Sequence, residues 1–334
     1  MMGNFISLVS VENIKLWKRL STKLMILIMA VAIVGIWGLV KMAADLNQQF
    51  IDSKQASQSE KLDWKERLKK DNESIQAIID SAEKSDRFRD KSTLDQNKRQ
   101  IAENKYRIEH NLKPIENRNY DIWFDLSTMG IWQIVALFVI IATTALVAGE
   151  FSESTMKTMI PRPYARWQIL TAKFIAVLIY TVVMTVIGYL VSLGAAAIFF
   201  GTSQFKDPVL LWLGGNIVEV SSVAAAFILT GLEFLSVLVY VIFTFALCAV
   251  ARSRALATGL AIFLMFGGSL TQLIAQNFDW GKYIFFADTN FSSFTTFGSI
   301  SYGLTLPFAL VICAIYCIVF MFAGYFAFAK RDIA

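Results

Sequence analysis

Histidine, cysteine and charge are scarce in this chain of 334 residues, and each shortage removes a class of function. The single histidine, His110, leaves no histidine pair for acid–base catalysis or a zinc site. The three cysteines, Cys248, Cys313 and Cys317, all fall in apolar runs, so no disulfide framework is expected. Cys313 and Cys317 are spaced to share a helix face, but without a nearby His they read as small packing residues rather than metal ligands. There is no G-x-x-x-x-G-K-[ST] phosphate loop, no H-E-x-x-H and no G-x-S-x-G elbow. We therefore expect no catalytic residues, no cofactor and no metal held by this chain.

Charged residues make up only 17% of the chain and concentrate in one block, while apolar residues reach 56% with 27 Phe. That composition fits a polytopic helical membrane protein with one polar insert. The formal charge of +5 sits in short segments beside apolar runs, which speaks for membrane orientation rather than nucleic-acid binding.

Six segments approach the ~20 apolar residues that cross a bilayer. They are Leu24–Ala43, Ile131–Gly149, Phe174–Phe199, Phe227–Val250, Ala255–Ala275 and Leu304–Phe328. The expected fold is thus all-α, with a six-span transmembrane domain over 24–43 and 131–334. Basic residues cluster on alternate connections: Lys15, Lys18, Arg19 and Lys23; Lys157, Arg162, Arg166 and Lys173; Arg252 and Arg254; Lys330 and Arg331. The other connections, 201–226 and 276–303, hold only Lys206 and Lys282. By the positive-inside rule both termini are cytoplasmic and the protein is a multi-pass protein of a cell membrane.

Residues 44–130 then form an extracellular insert, with 16 Lys/Arg against 17 Asp/Glu. Trp64, Leu68, Ile75 and Ile78, then Leu94, Ile101 and Ile108, recur at helical spacing and predict two helices turning near Ser85–Asp90. This hairpin reads either as a solvated seam or as a docking site for an external ligand. In residues 1–23, Phe5, Leu8, Ile14, Leu16 and Trp17 among basic positions predict an amphipathic helix at the inner interface. Glu233 is the one acid expected inside an apolar span, about 9 Å from its outer end at ~1.5 Å per residue. It reads either as a substrate-path residue facing a cavity or as a side chain snorkelling to the headgroups. Gly35 and Gly38, Gly188 with Ser192, and Gly267 and Gly268 are expected to permit close helix contacts.

The connection 150–173 is net positive and punctuated by proline. Its Glu150-Phe151-Ser152, Thr155-Met156-Lys157, Arg162-Pro163 and Arg166-Trp167 resemble the inner-loop element of ABC-2-type transporter permeases, in their low-GC Gram-positive form. Ser154 stands where that pattern usually has Gly. Arg107-Ile108-Glu109 with Pro114-Ile115-Glu116-Asn117, Lys282-Tyr283-Ile284-Phe285-Phe286-Ala287, and Phe328 with Lys330-Arg331-Asp332-Ile333 resemble further stretches of the same family. The resemblance implies a bacterial membrane subunit of an exporter, paired with a second permease copy or a related permease. A separate ATP-binding subunit, carrying ATP and Mg, would dock on a coupling helix that includes Glu150, Phe151, Ser154, Thr155, Lys157, Arg162 and Pro163. The expected function is outward translocation of an amphipathic or peptide-like substrate. A receptor binding ligand through the insert and an ion-coupled transporter are the alternatives.

Overall fold

The computed structural model describes residues 2–55, 63–84, 91–113, 131–149, 165–201, 208–213, 215–251, 253–275, 278, 280–285, 289–296 and 304–330. The chain is mostly helical. In order, the helices are α1 (Met2–Lys18), α2 (Leu20–Gln55), α3 (Trp64–Lys84), α4 (Lys91–Glu109), α5 (Ile131–Val147) and α6 (Arg166–Phe200). After a hairpin of β1 (Pro208–Leu213) and β2 (Asn216–Ser221) come α7 (Ser222–Ala251), α8 (Arg254–Ala275), the one-turn α9 (Ser293–Thr296) and α10 (Leu306–Lys330).

Among the described residues, four helices are long and apolar enough to cross a membrane: 20–46 of α2, α6, α7 and α10. Two shorter apolar helices, Ile131–Val147 and Arg254–Gly268, complete the bundle. α7 is its hub and packs against α5, α6, α8 and α10. Half of the apolar window of α7 is buried, against 11% of that of α10, so α10 presents most of its surface outward. In α2 the same division is drawn residue by residue. Met29, Ile33 and Trp37 repeat every fourth position and face the core, while Leu24, Leu27, Ile28 and Val31 stay exposed.

Close helix contacts form where small residues allow them. A methyl group at Gly188 of α6 would meet Val135 Cγ2 at 2.9 Å, and one at Gly324 of α10 would meet Ala246 Cα at 3.2 Å. Ser192, one turn after Gly188, accepts a hydrogen bond from Trp37 Nε1 at 2.8 Å and so joins α6 to α2. A methyl group added at Gly35 or Gly267 would meet nothing within 4 Å, so neither position needs glycine for a close helix contact among the described residues.

α3 and α4 pack together. Leu68, Ile79 and Ile101 are buried between them, and Asn104 donates to Asn72 at 2.8 Å. Ile79 takes the core position rather than Ile78, which is exposed, because it continues the stripe through Leu68 and Asn72. The expected turn at 85–90 lies outside the described residues.

The β-hairpin in the connection 201–226 was not foreshadowed by the helical pattern. Pro208 pairs with Ser221 and Leu213 with Asn216, with positive φ at Gly215 supporting the tight reversal. Leu211 anchors the hairpin on Ala225 and Leu229 of α7. On its other side the Arg99 guanidinium of α4 lies 4.5 Å from the Trp212 ring. α4 and the hairpin therefore touch at one end of the bundle.

At the opposite end, basic residues of two of the short connections meet helix C-termini. Arg19 donates to Ala145 O at 3.0 Å and Arg166 to Ala329 O at 3.5 Å, while Thr258 of α8 bonds Thr144 of α5 at 2.9 Å. α6 begins at Arg166, so the stretch from Arg166 to Lys173, expected in the connecting loop, forms its opening turns. The local reason is a cap in which Gln168 Oε1 accepts from Ala165 N–H at 3.0 Å.

Candidate functional site

Two polar constellations are buried in this apolar bundle, one near each end. At the basic end, α1 lays Leu8 against Ile169 and Ala172 of α6. Glu12 continues the stripe that runs from Leu8 to Leu16, so its carboxylate is carried into the helix contact with no exposure. Lys173 Nζ, also fully buried, donates to Glu12 Oε2 at 2.7 Å, and Lys15 Nζ donates to Oε1 at 2.9 Å. Lys173 also reaches Leu146 O at 3.4 Å. With Arg19 on Ala145 O, two cations thus satisfy carbonyls at the C-terminus of α5, where the helix dipole favours positive charge. Burial alone would raise the Glu12 carboxyl, but Lys173 and Lys15 outweigh it and hold the group below the ordinary carboxylate range.

The other constellation lies toward the hairpin end. Glu233, Ser236 and Tyr240 recur at i, i+3 and i+7 on α7 and share one face. With Trp132 and Gln133 from the start of α5, and Thr289 and Asn290, they line a cavity of about 30 Å³. Glu233 is 5% exposed. Its Oε1 accepts a hydrogen bond from Ser292 Oγ, and no basic side chain pairs with it among the described residues. Ser292 Oγ also lies 3.1 Å from Asn290 Oδ1, Tyr240 OH bonds Thr289 Oγ1 at 2.7 Å, and Ser236 Oγ accepts from Phe291 N–H at 3.4 Å.

α7 starts at Ser222, five residues before the expected Phe227, and Glu233 consequently lies ~16 Å along the helix rather than ~9 Å. It turns into the bundle toward Ser292 and does not snorkel. The residues expected to dock a partner, Glu150, Phe151, Ser154, Thr155, Lys157, Arg162 and Pro163, lie outside the described residues. Glu12, Ser236, Tyr240, Thr289, Asn290 and Ser292 were missed in the sequence. Two signals were available: an acid on the apolar stripe of α1, and hydroxyls spaced along one face from Glu233. Cys248 and Cys313 are buried packing residues, and no cluster of three or more metal-ligating side chains occurs among the described residues.

A family model described as "Protein of unknown function (DUF2705)" matches residues 99–334. The chain belongs to the DUF2705 family. It is 32% identical over 333 residues to "Uncharacterized protein YhcI" of Bacillus subtilis (strain 168), covering 98% of this chain and 99% of that protein. It is also 27% identical over 201 residues to "Uncharacterized membrane protein YdbK" of the same organism, covering 59% of this chain and 77% of that one. No solved structure matches. Membership in DUF2705, with no match to an ABC-2 family model, corrects the resemblance to ABC-2-type permeases. The motifs that carried it are short and built from residues that inner connections favour generally: Lys and Arg for orientation, Pro at a helix break, and an aromatic at the interface. The four long apolar helices and the printed name of YdbK support a membrane location for this DUF2705 protein.

Proposed function

We propose that this chain is the membrane-spanning permease subunit of a transport complex whose energy comes from a separate ATP-binding protein. The observation that carries the reading is Glu233. A carboxylate ~16 Å along an apolar helix, held by a hydroxyl and not by a cation, is costly to keep unless it acts on something that passes. In this reading α5 and α8 join the four longer helices as spans, giving six, and α3 with α4 form a hairpin outside the cell. Both termini and the basic end are cytoplasmic, in the plasma membrane of a bacterium. α1 lies at the inner surface, where exposed Ile6 and Ile14 meet lipid. The cargo is amphipathic or peptide-like and moves outward, and a second permease copy or a related permease completes the passage.

The chain has no phosphate-binding loop, so ATP would act through a partner. The natural docking surface is the connection 150–164, because it leads into α6 beside the Glu12–Lys173 pair. A push there would be transmitted through a braced contact. Affinity purification of the full-length chain from its native membrane should recover an ATP-hydrolysing subunit. That partner should be lost when Thr155–Met159 is replaced by a flexible linker. Recovery of the chain with no ATPase activity in any detergent would contradict the reading. Glu233 also favours a second one, ion-coupled transport, which predicts transport that survives ATP depletion and collapses with an uncoupler.

A further inference from the structure

We propose that the Glu233 cavity is a binding site for one monovalent cation, either an inorganic ion or the ammonium head of a cargo molecule. The inference rests on reading this pocket as functional, and it does not require the ATP-driven partner.

Charge decides the valence. When ionised, Glu233 brings one negative charge, and no basic side chain balances it among the described residues. A singly charged cation makes the site neutral. A divalent ion would leave a net positive charge in low-dielectric surroundings, which costs several kcal/mol.

The donor set decides the chemistry. Glu233, Ser236, Tyr240, Thr289 and Asn290 all turn oxygen-bearing side chains to one cavity, with no His or Cys among its lining residues. Oxygen ligands suit hard cations and hydrogen-bonding ammonium groups, not thiophilic metals.

Size decides the reach. The cavity of about 30 Å³ exceeds the roughly 10–15 Å³ of such space that one water needs, so it takes a small ion with a water or a primary ammonium head. Larger cargo would have to lie outside it.

The test uses purified full-length chain in lipid nanodiscs, with labelled sodium and labelled methylammonium as separate probes at constant ionic strength. N-methylglucamine, too large for the cavity, is the balancing cation. We expect saturable binding of at least one label, near one per chain, weakened roughly tenfold or more in Glu233→Gln. Glu219→Gln, an exposed acid on β2, should leave binding unchanged. Sodium held in preference identifies an inorganic ion, and methylammonium held in preference identifies the amine head of a cargo. If Glu233→Gln does not fold, Glu233→Asp keeps the charge and should bind with reduced affinity. Equal retention of both labels by wild type and Glu233→Gln overturns the proposal, as does displacement of the label by calcium at lower concentration than by either monovalent ion. The assay contains no partner and no transport step. A chain that binds the cation but recruits no ATPase keeps this site and loses the ATP-driven reading, while the reverse result removes the site alone.

Discussion

Glu12 and Glu233 are both buried carboxylates in the same bundle, at levels separated by ~21 Å along α5. Glu12 meets two ammonium groups at 2.7 and 2.9 Å, and the cations around it also close the end of a helix. Glu233 meets a serine hydroxyl and a cavity. The first arrangement is complete within the chain, because the buried carboxylate has its cations and the buried ammonium its carboxylate. The second is incomplete, and its missing counterpart points to a ligand. A buried acid is thus a brace or a site according to what surrounds it, and burial alone does not distinguish the two.

The sharpest way to break this contrast is to remove one half of the complete pair. Glu12→Gln leaves Lys173 buried without its carboxylate and should cost about 3–5 kcal/mol, read as loss of hydrogen-exchange protection in α1 and the opening turns of α6. The double variant Glu12→Gln with Lys173→Met should recover most of that loss, since an apolar replacement of both partners leaves no orphaned charge. Full destabilisation in the double variant would mean the pair is not coupled.

Acid should release the same end first. The Glu12 carboxyl is held below its unfolded value, so its stabilisation is present above the ordinary carboxylate range and is lost as pH falls through the lowered folded value. Protection of α1 should therefore drop in that acid window, while α3 and α4, which do not contact the pair, keep theirs. Loss of protection in all three together would deny Glu12 its special role.

A smaller effect is expected beyond the hairpin end of the bundle. Arg99→Ala removes the guanidinium from the face of Trp212 and should cost about 0.5–1 kcal/mol, seen as faster exchange in β1 with α7 unchanged. The smallest effect on stability belongs to Glu233→Gln. It should change folding by under about 1 kcal/mol, because a neutral amide is cheaper to bury than a carboxylate without a cation. The same variant should nevertheless abolish transport in reconstituted vesicles. Retained transport would make Glu233 a structural residue after all.

Much of the helical layout was legible because it depends on local pattern. Apolar runs fixed the positions of α5, α6, α7, α8 and α10 to within a few residues at most of their ends, although the start of α6 fell eight residues earlier than expected. Two of the basic residues of alternate connections, Arg19 and Arg166, bond the C-terminal ends of α5 and α10. What stayed hidden depends on contacts distant in sequence. Glu12 carries no signal of burial until Lys173 meets it across 161 positions, and Lys173, expected in a connecting loop, lies in a helix that Arg166 opens. Glu233 was visible as an acid in an apolar run, but Ser292, 59 positions away, shows which way it points. The hairpin 208–221 stays hidden because its six-residue strands are short and fall in a connection whose sequence signal is its charge.

The most direct test of the contrast is the melting temperature of wild type, Glu12→Gln and Glu233→Gln in the same lipid nanodisc. Glu12→Gln should melt far below wild type, and Glu233→Gln should melt at an unchanged or raised temperature. A fall in Glu233→Gln as deep as that in Glu12→Gln would show that both carboxylates are braces and would remove the functional site from this structure.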